Sequence, residues 1–183
     1  MLSEEKIKKN WNTFASLAEN GSGQRQAVAS MFEELGDRLA VCPATIKSYP
    51  GGLVDQNLKC LKVCMDLNEK FGLELDHSSI VIANLFRNIG MVGDLETDLL
   101  IEQESKWHRD NKGEFFKYNS ECPFMRTHDR SLFLLQNFGI TLTHDEYLAI
   151  AAGGGNNEEY KFGEPPLAFA VYAALRFVVS RCE

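Results

Sequence analysis

The chain lacks the patterns that mark most common functions. It has no run of about eighteen apolar residues, so no spanning helix is expected. The residues Met1–Lys6 are charged and carry no apolar core, so no signal peptide is expected. There is no C-x-x-C pair, no H-x-x-x-H spacing among His77, His108, His128 and His144, no glycine-rich phosphate loop ending in lysine, and no Ser-His-Asp signature. Positive charge is in deficit: 19 Lys and Arg stand against 26 Asp and Glu, a formal charge of −7. That balance argues against general nucleic-acid or anionic-membrane binding and leaves room for a local basic pocket. The five cysteines, Cys42, Cys60, Cys64, Cys122 and Cys182, are odd in number and read as buried thiols in a reducing compartment, with no histidine at zinc-ligand spacing. A cytoplasmic protein is expected.

What is present reads as nearly all helix. Ser3 caps a first helix with Ile7, Trp11, Phe14 and Leu17 or Ala18 as its apolar stripe, and Asn20–Gly23 breaks it. A second helix covers Arg25–Leu39, and a third runs from about Leu53 to Phe71, ended by Gly72, with Val54, Leu58, Leu61 and Met65 inward. Asp76 caps a fourth, Ser78–Asn88, which is apolar on most sides and therefore central. Residues 93–127 are polar and irregular, with a short helix expected near Glu96–Lys106 and an extended or hairpin piece around 114–119. Helices follow at Asp129–Asn137, from Thr143 with Glu146 as capping-box partner, and at Leu167–Ser180 after Pro165-Pro166. With 183 residues and no linker or repeat, the expectation is a single all-α helical bundle.

Two arginines stand out within apolar runs: Arg87 in Ile80–Ile89, and Arg176 in Leu167–Val179. An arginine in such a place either snorkels to the surface or is buried with an anionic partner, because an unpaired buried charge costs several kcal/mol.

The segment Pro50-Gly51-Gly52-Leu53-Val54-Asp55-Gln56, followed by Ala83-Asn84-Leu85-Phe86-Arg87-Asn88-Ile89-Gly90, resembles the HD-domain metal-dependent phosphohydrolases. That family reads roughly P-G-G-L-V-[DE]-H and later A-L-x-H-D-[IL]-G-K. Trp107-His108-Arg109, Pro123-Phe124-Met125, Asp129–Gln136 and Leu142–Ile150 are similar to a bacterial and phage subgroup of small HD proteins. The resemblance spans about Cys42 to Glu183. It implies an HD-like core over 42–183 with residues 1–41 as a helical extension packed on it. It also implies that the metal ligands are gone. The first motif histidine falls on Gln56, the His-Asp doublet on Arg87 and Asn88, a later histidine on Gly153 followed by Gly154, and the last aspartate on Arg176. A divalent ion needs carboxylates or neutral imidazoles, so no metal, no cofactor and no metal-dependent hydrolysis are expected.

The implied function is a catalytically inactive pocket that binds and sequesters a phosphate-bearing nucleotide signal, such as a cyclic dinucleotide or an ADP-ribose derivative, to counter host immune signalling. Arg87 and Arg176 would fork onto phosphate. Gln56 and Asn88 would hydrogen-bond the ligand, and Gly153 and Gly154 would offer backbone N–H groups. Lys47 falls near that pocket or is simply solvated. Trp107, His108 and Arg109 stack on a base, or Trp107 only pins the long loop. Arg126, His128 and Arg130 read as a surface cluster partly neutralised by Asp129. Two alternatives stand beside this one. The first is a protein-binding inhibitor or structural module with the old pocket filled and a host protein as partner. The second is a metal-independent enzyme using Lys47, His108 or His128. Self-association is left open.

Overall fold

The computed structural model describes residues 2–152 and 164–180. Its helices are α1 (Glu4–Gly21), α2 (Arg25–Val41), α3 (Gly52–Phe71), α4 (His77–Phe86), α5 (Lys106–Lys112), α6 (Thr127–Asn137), α7 (His144–Ala151) and α8 (Pro166–Ser180), with a 3-10 turn at Ile89–Val92. Two short strands, β1 (Leu100–Glu102) and β2 (Phe116–Tyr118), pair antiparallel with Leu100 opposite Tyr118 and Glu102 opposite Phe116. The described chain is thus mostly helical with one small ribbon.

The helix starts follow from their caps. The hydroxyl of Ser3 accepts from Lys6 N–H, the carboxylate of Asp76 from Ser79 N–H, and Thr143 and Glu146 form a reciprocal capping box. Glu146 also ties α7 to α4, because its second oxygen accepts from the Ser79 hydroxyl at 2.7 Å. α3 ends at Gly72 in the left-handed conformation, φ 58°.

α4 is the centre of the molecule: Ile80 through Phe86 are all buried. α1, α3, α7 and α8 pack around it, and α3 also packs on α8. Phe14 and Ala18 of α1 and Val28, Met31, Leu35 and Leu39 of α2 join the same buried cluster as Leu53, Val54 and Leu61 of α3. The first 41 residues therefore share the core. Trp11 stacks on Phe14 at 5.6 Å and meets Phe32 edge-on at 5.1 Å, while Leu17 turns outward and Ala18 takes the inward position.

One expectation for 93–127 changes. The stretch read as a helix near Glu96–Lys106 holds β1, and α5 begins only at Lys106. The 114–119 piece is extended, one of its two expected forms: it holds β2, whose partner is β1 across α5 and not an adjacent hairpin strand. Arg38 of α2 organises this turn, donating to Asp98 Oδ1 at 2.7 Å and to the carbonyls of Val92, Asp94 and Leu95. Asp94 Oδ1 accepts from the N–H groups of Glu96 and Thr97. These bonds satisfy the backbone without a helix.

Candidate functional site

The 43–50 loop and the ribbon are joined at one point. The N–H groups of Phe115 and Phe116 both donate to Ile46 O, at 2.9 and 3.0 Å, and Gln103 N–H donates to Phe115 O at 2.9 Å. Between loop and ribbon lies a half-open pocket of about 380 Å³, lined by Lys47, Ser48, Tyr49, Pro50, Glu102, Gln103, Arg109, Phe115 and Phe116. That volume lies at the lower end of the range for small-molecule sites, which are apolar clefts with a few placed polar groups.

Each side chain has a reason for its place. Gly51 stands at φ 75°, and a β-carbon there would come 3.0 Å from Ile7 Cγ1 and 3.3 Å from Ala40 O, so the turn into α3 favours glycine. At Gly52 a β-carbon would strike the Ser48 hydroxyl oxygen at 2.2 Å. The turn holds Tyr49 against α3, where its hydroxyl donates to Asp55 Oδ2 at 2.7 Å. Asp55 also accepts from Asn10 at 3.1 Å and pairs with Lys59 at 2.7 Å. Burial pushes the Asp55 carboxyl up, but the bonds from Lys59, Tyr49 and Asn10 outweigh it and hold it below the usual range. On the opposite wall, Arg109 donates to the carbonyls of Gln103 and Glu104, which folds its stem over the ribbon. Lys47 is exposed and forms no ion pair among the described residues. Phe115 is 42% exposed, so part of its ring is open to solvent.

The two arginines singled out by the sequence do not share a pocket. Arg176 is exposed on α8, two residues from buried Ala174 and Val178 and so on the opposite side of the helix. Arg87 is 2% exposed, at the C-cap of α4. It does not snorkel, and among the described residues it meets no carboxylate and its Nε and Nη2 have no partner. Burial pulls its guanidinium down from the ordinary value, and the neighbouring Cys60 opposes that. Gln56 and Asn88 are half-buried. Gly153 and Gly154 lie outside the described residues.

Trp107 is 58% exposed with the Lys112 ammonium 5.2 Å from its ring centroid, so it does not pin the loop to the core. His108 Nδ1 lies 2.8 Å from the Ser105 hydroxyl and serves the start of α5. Neither lines the pocket. The basic cluster is not all surface. Arg126 is exposed and pairs with Asp129 at 2.6 Å. Arg130, however, is 2% exposed and donates to Pro123 O at 2.7 Å and Gly90 O at 3.3 Å. Its burial follows from α6 turning 130, 131, 134 and 135 inward, an i, i+4 pattern present in the sequence. The pocket's aromatic wall was the feature sequence reasoning missed. The only available signal was the adjacent pair Phe115-Phe116 inside a polar stretch.

Among the described residues no group of three or more His, Cys, Asp and Glu side chains is placed to hold a metal ion. Gln56, Arg87 and Asn88, where the resemblance would put metal ligands, carry neither a carboxylate nor an imidazole. No described helix is long and apolar enough to cross a membrane. The four described cysteines are buried and unbridged. No family model, no curated protein and no solved structure matches this chain, so the HD resemblance rests on its quoted motifs.

Proposed function

We propose that this protein captures a phosphate-bearing nucleotide without hydrolysing it, in the pocket between the 43–50 loop and the β1–β2 ribbon. The observation that carries this reading is the convergence of Lys47 and Arg109 with Phe115, Phe116 and Tyr49 on one half-open cavity. The cations suit phosphate oxygens, and Phe115 offers a face on which a base stacks for about 1–3 kcal/mol. Glu102, on the same wall, suits the hydroxyls of a ribose. The loss of carboxylates and histidines at Gln56, Arg87 and Asn88 supports binding without metal-activated water. The resemblance to a phage-associated subgroup supplies the setting: a cyclic dinucleotide or an ADP-ribose derivative withheld from host immune signalling.

The test is melting temperature against a nucleotide panel, with and without EDTA, since a ligand at 100 times its dissociation constant adds about 2.7 kcal/mol to stability. One nucleotide should raise the melting temperature regardless of EDTA, and Lys47→Ala combined with Phe115→Ala should abolish the shift without altering the unliganded melting point. An undiminished shift in that double variant would remove the pocket from the account. A second reading, a protein-binding module, is favoured by a groove of about 680 Å³ between α6 and α7 lined by Leu132, Phe133, Ile140, Leu142 and Tyr147. No response to any nucleotide, with a partner retained through Phe133→Lys-sensitive contacts, would move the assignment there.

A further inference from the structure

The interior seam between α3 and α4 carries a polar strip that the pocket does not use. Asn57, Cys60 and Cys64 fall at i, i+3 and i+7 on α3, and Asn84 and Arg87 are three apart at the end of α4. All five are at most 2% exposed. They touch across the seam: Asn57 Nδ2 donates to Leu85 O at 3.0 Å, Cys64 hydrogen-bonds Asn84, and Cys60 lies close enough to Arg87 to perturb its guanidinium.

Four buried atoms of this strip have no hydrogen-bond partner among the described residues: Arg87 Nε, Arg87 Nη2, Asn57 Oδ1 and Asn84 Oδ1. The two arginine atoms are not an arbitrary pair. Nε and Nη2 form one edge of the planar guanidinium, the edge that makes two parallel N–H···O bonds to an oxyanion. A fixed, buried positive charge with that edge open, and no described carboxylate paired with it, is one of the costliest arrangements a protein interior can hold. Water would satisfy single N–H groups and leave the charge uncompensated. The two open amide oxygens suit hydroxyl groups, such as those of a partly protonated oxyanion.

We infer that Arg87 holds a compact inorganic-type oxyanion, of which phosphate is the probe, within the α3–α4 seam. The site is distinct from the loop–ribbon pocket and does not depend on that proposal. His128, the half-buried first-turn residue of α6, lies close enough to Arg87 to sense its charge and so reports on what binds there. The same oxygen set could come from a free ion or from a phosphoryl group on a larger molecule. The sealed position of Arg87 favours the free ion.

The experiment compares wild type, Arg87→Met and Arg87→Lys in phosphate-free buffer and in rising phosphate at constant ionic strength. Phosphate raises the melting temperature of any protein somewhat by exclusion from its surface, and that part is common to all three. The expected result is a saturating extra rise in wild type that is absent in Arg87→Met and at most half as large in Arg87→Lys, which keeps the charge without the fork. An equal rise in all three overturns the proposal. If the variants fail to fold, the His128 imidazole of the wild type is titrated by NMR instead. A bound anion beside Arg87 should move its midpoint upward by about half a unit or more, whereas an unmoved midpoint overturns the proposal. Running the same titration with a nucleoside monophosphate separates the sources, since the free-ion assignment requires that it leave His128 unmoved.

Discussion

Gly90 tests whether the motif-like frame is a packing requirement. A β-carbon at this position would stand 2.2 Å from Thr127 O, 2.7 Å from Ser131 N and 2.9 Å from Arg130 Cβ. The first two are main-chain atoms in the first turns of α6, so no side-chain rotation relieves the overlap. The helix must retreat by about 1 Å to restore ordinary contact. That retreat pulls on three bonds: Gly90 N–H to Ser131 Oγ at 2.9 Å, Ser131 Oγ–H to Arg87 O at 2.9 Å, and Arg130 Nη1–H to Gly90 O at 3.3 Å. Overpacking costs about 1–3 kcal/mol, and buried hydrogen bonds about 1 kcal/mol each when weakened or lost. Gly90→Ala should therefore destabilise the protein by about 3–4 kcal/mol, which at about 2–4 °C per kcal/mol lowers melting by roughly 6–15 °C. Gly113→Ala is the control: its φ is 65° and a β-carbon there meets nothing within 4 Å. It should cost only about 1 kcal/mol, from the left-handed backbone alone. Urea or thermal unfolding of both variants measures the difference. Equal, small losses at the two positions would refute the packing argument.

Two further predictions concern stability away from the pocket. Burial first, and then the Arg87 charge, push the His128 imidazole down from 6.5 to about 4, with Asp129 pulling it up and Arg126 pushing it down. The unfolded chain takes up that proton near pH 6.5 and the folded chain only near pH 4, so stability is full above pH 6.5 and falls between 6.5 and 4. Allowing for its half-buried position, the loss should be about 1–2 kcal/mol, and the drop in melting temperature from pH 7 to pH 5 should shrink in His128→Gln; an identical drop in both proteins would rule out His128 as its source. Arg38→Ala removes four hydrogen bonds to Val92, Asp94, Leu95 and Asp98. It should cost about 2–4 kcal/mol and speed hydrogen exchange of the amides at 93, 97 and 99, and unchanged exchange would show that the turn holds without it.

Much of the helical frame is legible because it is encoded by neighbours in sequence. Ser3, Asp76, Thr143 with Glu146, and Gly72 mark ends through bonds or dihedrals within a few residues, and the stripes of α1 and α2 point their apolar residues to the core. β1 escaped because three residues carry too little alternation to be read, and because its turn is built by Arg38 from sixty residues upstream of Asp98. The burial of Arg130 follows a readable spacing that its charge masked. The pocket is legible only in part: Lys47 and Arg109 stand out in the sequence, but the bonds from Phe115 and Phe116 to Ile46 that join loop and ribbon, and the aromatic wall they bring, do not. Arg87 shows the same limit from the other side, since a sequence displays the residue but not that no described carboxylate lies beside it.

The central claim is capture without chemistry, and one measurement addresses it directly. Protein in stoichiometric excess over each nucleotide of a panel is separated from free ligand, denatured, and the released nucleotide is chromatographed, with and without EDTA. The account predicts one phosphate-bearing nucleotide retained by the protein and returned unaltered in both conditions. A converted product, or retention of none, would contradict it.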